Sequence, residues 1–159
     1  MKHPFRIVAL PSERFDALRA MGEADLRARG ARRMRADEKP GFPCRVSLVD
    51  AEIGEEVLLL PYTHHDVDTP YRASGPIFVR IEAATARPGV NEVPEMLRSR
   101  LLSVRAYDRE GTMVGSEVVE GHDLADHIER AFEDPGVGYL HLHNARPGCF
   151  NCRVERASS

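Results

Sequence analysis

A chain of 159 residues, 42% hydrophobic and 30% charged, holds material for one core, and a single domain over residues 1–159 is expected. A net charge of −3 at pH 7 argues against a dedicated nucleic-acid binder, which carries a basic excess. No apolar run nears membrane-spanning length, and the run up to Leu10 is too short, and too interrupted by Pro4 and Arg6, for a secretory signal. The expectation is a cytoplasmic protein with no membrane partner, whose three cysteines stay reduced.

In chain order, residues 5–10 read as a strand closed by Pro11. Ser12 then opens a helix carrying Phe15, Leu18 and Met21, and Gly22 interrupts it before a second short helix over 23–29. Arg27, Arg29, Arg32, Arg33 and Arg35 form a basic patch with acidic neighbours and no interleaved aromatic residue, which fits a solvated helix end running into an edge strand. After a Pro-Gly turn, residues 44–49 alternate. Cys44, Val46 and Leu48 share one face there, and Arg45 points outward. Asp50, Glu52, Glu55 and Glu56 make an acidic turn into the apolar run 57–60, a strand covered on both faces and ended by Pro61. Residues 63–70 read as a polar loop, and 77–81 as a further strand.

The motifs Cys44-Arg45-Val46-Ser47-Leu48 and Pro70-Tyr71-Arg72-Ala73-Ser74-Gly75-Pro76-Ile77 resemble a bacterial family of single-domain proteins of unknown function. The likeness extends to the closing His143-Asn144-Ala145-Arg146-Pro147-Gly148-Cys149 stretch. It implies a family and no reaction, so chemistry has to come from the residues.

Further along, 83–93 reads as a loop and 94–100 as a short helix. Residues 101–107 and 112–119 form a hairpin around Asp108-Arg109-Glu110-Gly111. Residues 121–132 are the clearest helix, with Leu124, Ile128, Ala131 and Phe132 on one stripe and Asp123 placed to cap. Strands over 138–143 and 150–155 close the chain. Strands outnumber helices and are joined by short turns. The fold class expected is α+β: a mostly antiparallel bent sheet or partial barrel of about eight to nine short strands with two to three helices.

Two constellations carry candidate chemistry. His64, His65, Tyr71, Arg72 and Ser74 combine an imidazole, a guanidinium and a hydroxyl near a glycine, the equipment for a small anionic ligand. His141, His143, Cys149 and Cys152 form His-x-His followed by Cys-x-x-Cys, soft and borderline donors that suit zinc if the hairpin register brings them together. Opposite His141, Cys152 would join the histidines. One residue away it would point into the core. The alternative to both is a non-catalytic interaction module, a homo-oligomer whose cysteines only pack. Gly-x-Ser-x-Gly and glycine-rich phosphate motifs are absent, so whether the protein is an enzyme stays open.

Overall fold

The computed structural model describes residues 2–158. In chain order the elements are β1 (Phe5–Val8), α1 (Asp16–Arg19), α2 (Glu23–Ala28), β2 (Arg32–Arg35), β3 (Glu56–His65), β4 (Ala73–Arg80), α3 (Glu95–Arg98), β5 (Leu101–Tyr107), β6 (Met113–Glu120), α4 (Leu124–Phe132), β7 (Tyr139–Asn144) and β8 (Phe150–Arg156). Single 3-10 turns precede α1 and α4. The fold is α+β with mostly antiparallel pairing, as the sequence implies. Its strands divide into two sheets, ordered β1-β8-β7-β5-β6 and β2-β3-β4.

Alternation sets the faces of the larger sheet. Leu102, Val104 and Ala106 of β5, Leu140 and Leu142 of β7, and Cys152 and Val154 of β8 point to one side. There they meet Leu124, Ile128 and Phe132 of α4 and Met96 and Leu97 of α3. The stripe of α4 is the one its spacing predicts. Asp123, though, makes no side-chain cap bond, because the chain enters α4 through a 3-10 turn that leaves it in the αR-bridge region. At Gly121 the chain passes so close to α3 that an added Cβ would lie 2.0 Å from the Leu97 carbonyl oxygen. The smaller sheet buries Leu58 and Leu60 of β3 against Ile77 and Val79 of β4, together with Phe15, Leu26, Cys44 and Val46.

Three expectations change. Pro61 does not end its strand: β3 runs on to His65, so both histidines sit on a strand and not in a loop. Pro61 lies opposite Pro76 and beyond the last β2 pair, Arg32 with Leu59. Two residues without N–H groups fit opposite one another only at a non-hydrogen-bonded position. Residues 44–49 form a turn in place of a strand, held by single bridges between Pro43 and Asp50 and between Cys44 and Phe78, with Leu48 in the left-handed region at φ 54°. Arg45, expected to face outward, is 1% exposed. The acidic turn disperses into ion pairs. Asp50 is gripped by both Nη atoms of Arg100 at 2.8 and 2.5 Å, Glu55 pairs with Arg80, and Glu52 with Lys39.

Candidate functional site

The far end of β3 lands on the second face of the larger sheet. Adjacent strand residues normally point to opposite sides. Between Tyr62 and His65 the register slips, so three steps on β3 match two on β4. This bulge turns both His64 and His65 toward β7. His64 stacks on Phe150 with ring centroids 5.1 Å apart and planes 9° apart. It lies edge-on to His143 at 5.1 Å and 6.1 Å from His141. His65 packs on Tyr107 at 4.1 Å and on His141 at 5.0 Å.

His65 is satisfied on both nitrogens. Its Nδ1–H donates to the Tyr71 carbonyl at 2.8 Å, and Nε2 accepts from the Tyr139 hydroxyl at 2.5 Å. The other three imidazoles of the cluster each keep a buried nitrogen without a partner among the described residues: His64 Nδ1, His141 Nδ1 and His143 Nε2. Burial disfavours their charged forms. It drives His64 to about 4, with the charges of His65 and Arg105 adding to the effect. His141 falls to about 2, through burial first and then its three histidine neighbours. His143 falls to about 4, burial outweighing its bond to the Gly148 carbonyl. These are neutral imidazoles at pH 7.

A second bulge, between Leu142 and His143, decides the cysteines. His141 pairs with Arg153, Leu142 with Cys152 and His143 with Phe150, leaving Asn151 as the extra residue. Phe150 and Arg153 therefore join the histidine face, where the Arg153 guanidinium lies 4.0 Å from the Tyr139 ring centroid. Cys152 points into the core beside Leu142, and burial pushes its thiol up to about 12. Cys149 is half-buried in the turn before β8, where its sulfur accepts from Asn144 Nδ2 at 3.3 Å. The structure thus brings His141 and His143 together and sends Cys152 to the opposite face. Among the described residues no group of three or more His, Cys, Asp or Glu is positioned as it stands to hold one metal ion.

The two sheets leave a cleft of about 550 Å³ between them. One wall is the outer face of the smaller sheet, with Leu59, Pro76 and Phe78; the other is the turn from Asn144 to Phe150. His64, Ser74 and Cys149 line it, and so does Arg45. Of the predicted anion set, His64 and Ser74 reach this cleft. His65 and Tyr71 lie on the far side of the histidine cluster with the tyrosines. Arg72 is exposed and paired with Asp66. The guanidinium of the cleft is Arg45, which strand alternation concealed. Its Nε donates to the Phe150 carbonyl at 2.8 Å and its Nη1 to the Pro43 carbonyl at 2.5 Å. No carboxylate pairs with it among the described residues. Burial lowers its pKa from the usual arginine value, and the neighbouring Cys149 opposes that fall.

A family described as a protein of unknown function, DUF1203, matches residues 41–156. The chain belongs to this family. The matched segment contains every residue of the cleft and of the histidine cluster, and it excludes β1 and β2. No curated protein and no solved structure matches the chain. Among the described residues no helix is long and apolar enough to cross a membrane.

Proposed function

We propose that this protein binds a small anionic molecule, a carboxylate or phosphate, in the cleft between its sheets. Arg45 is the charge anchor, and His64 and Ser74 supply polar contacts at the rim. One observation carries this reading: a guanidinium 1% exposed that lines a cleft and, among the described residues, is compensated only by two carbonyl oxygens and a thiol. Burying a cation without a counterion is costly, and an entering anion removes that cost through charge-assisted hydrogen bonds. Arg100 shows the compensated alternative in the same molecule, with Asp50 bound to both of its Nη atoms. Cysteines that are all free suit a reducing compartment such as the cytoplasm.

The test is calorimetric titration and thermal shift with inorganic phosphate and a panel of small mono- and dicarboxylates. The expected result is saturable binding that Arg45→Met abolishes and Arg72→Met leaves unchanged. Binding that survives Arg45→Met, or no response to any anion from a folded wild-type protein, would overturn the reading. Ser74→Ala, at an exposed position, weakens binding without risk to the fold and guards against an unfolded Arg45 variant.

A second reading has its own support. Among the described residues β6 pairs only with β5, and it exposes Val114 and Val118 along a strand edge. Pairing of two copies along that edge would cover them. A monomeric mass at high concentration in light scattering removes this reading.

A further inference from the structure

Of the buried side-chain nitrogen and oxygen atoms without a partner among the described residues, three belong to one cluster: His64 Nδ1, His141 Nδ1 and His143 Nε2. A buried polar atom left unpaired costs about 1–3 kcal/mol, so three together ask for something to bind them. His141 and His143 are 2% and 1% exposed. His143 donates Nδ1–H to the Gly148 carbonyl at 2.9 Å, which fixes its tautomer and leaves a bare lone pair on Nε2. A backbone carbonyl holding the far nitrogen is the usual support of a metal-ligating histidine. Imidazole is a ligand for first-row divalent ions in its neutral form, the form burial enforces here.

We propose that His64, His141 and His143 together bind one first-row divalent cation of the zinc class, with an open coordination position facing the cleft. Metal–nitrogen distances near 2.1 Å and tetrahedral angles place the ring centroids of such a set roughly 5 Å apart. The His64–His143 separation of 5.1 Å meets this already. The His64–His141 and His141–His143 separations, 6.1 and 6.3 Å, are wider by about the reach of a ring rotation. Closing the set takes a rotation of the His141 ring on β7 as well as a movement of half-buried His64 at the bulge. His65 takes no part, because both of its nitrogens are used. Neither does Cys152, on the other face of β8. Because His64 lines the cleft, the fourth position opens onto it, the layout of sites that keep one position for water or a ligand.

This inference stands apart from the anion reading, since its probe is the metal alone. Chelator-stripped protein in a phosphate-free buffer is titrated with Zn²⁺ against a chromophoric competitor, and with Co²⁺ while the visible spectrum is followed. One ion per chain is expected, with cobalt d–d bands and no thiolate charge-transfer band. His64→Ala and His143→Gln are expected to weaken binding by more than about 100-fold, since even outer-shell changes cost 10–100-fold. Cys149→Ser leaves it unchanged. No stoichiometric binding by the folded wild-type protein, affinity retained in both histidine variants, or a thiolate band lost with Cys149→Ser would each overturn the proposal. His64→Ala alters a half-exposed position, so a failure of His143→Gln to fold leaves the test intact.

Discussion

Along β7 the two faces of the five-stranded sheet are equally hidden and chemically opposite. Every residue of β7 is buried, yet Leu140 and Leu142 meet α4 while Tyr139, His141 and His143 meet the tip of β3. Burial by itself therefore does not explain the histidines, since leucines on the same strand are buried as well without orphaned nitrogens. The α4 face is a packed apolar interior whose contacts are its stability. The β3 face holds buried imidazoles with nitrogens unpaired among the described residues, an arrangement that costs stability.

The largest expected effect separates the faces directly. Leu142→Ala, at 0% exposure, is expected to cost about 3 kcal/mol through lost transfer energy and a cavity. His141→Leu, one residue away, is expected to leave the metal-free protein as stable or more stable, because it removes an unpaired buried nitrogen. Urea unfolding with chelator present measures both, and equal losses would erase the distinction.

Per pH unit a smaller effect comes from pH, again in the metal-free protein. His141 and His143 are held well below the ordinary value of 6.5 when folded, so the unfolded chain binds more protons once the pH drops below it. Stability is thus complete above about pH 6.5 and falls as pH falls, by up to about 1.4 kcal/mol per pH unit for each fully buried imidazole. The fall continues until about pH 4 for His143 and lower for His141. His141→Leu should flatten the slope, and a slope unaltered by that change would assign it to carboxylates elsewhere.

The smallest effect sharpens the comparison at the thiols. Cys152 belongs to the apolar face and Cys44 to the interior of the smaller sheet, whereas Cys149 borders the cleft. One thiol equivalent per chain is expected to react with a disulfide reagent in the native state, and all three after unfolding. Loss of the fast-reacting equivalent in Cys149→Ser identifies it.

The parts of this arrangement that depend on local periodicity were legible in the sequence. The Leu/His alternation of β7, the β5–β6 hairpin and the stripe of α4 all follow from neighbours a few residues apart. The parts that build the site do not. Two bulges, one turning His64 and His65 to the same side and one sending Cys152 to the core, are registers between distant strands, and a slip of one residue leaves no local signature. Arg45 was hidden for a related reason. Its alternation predicts an outward side chain, but residues 44–49 turn back through Leu48, and the partner that holds Arg45 is Phe150, 105 residues away.

The edge positions of β1 and β2 have a practical meaning. β1 borders the larger sheet beside β8, and β2 borders the smaller beside β3. Both come from the residues that precede the segment shared with the family. That leading arm also delivers Phe5, Ile7, Phe15 and Leu26, all nearly or fully inaccessible, to the two interiors. A chain begun at Gly41 would retain each cleft residue and still lose its outer strands on both sides. Freshly bared backbone donors and acceptors on β3 and β8 would then recruit neighbouring chains, and such a fragment should come out of expression as aggregate. For this protein, the boundary of resemblance to its relatives is the wrong place to cut.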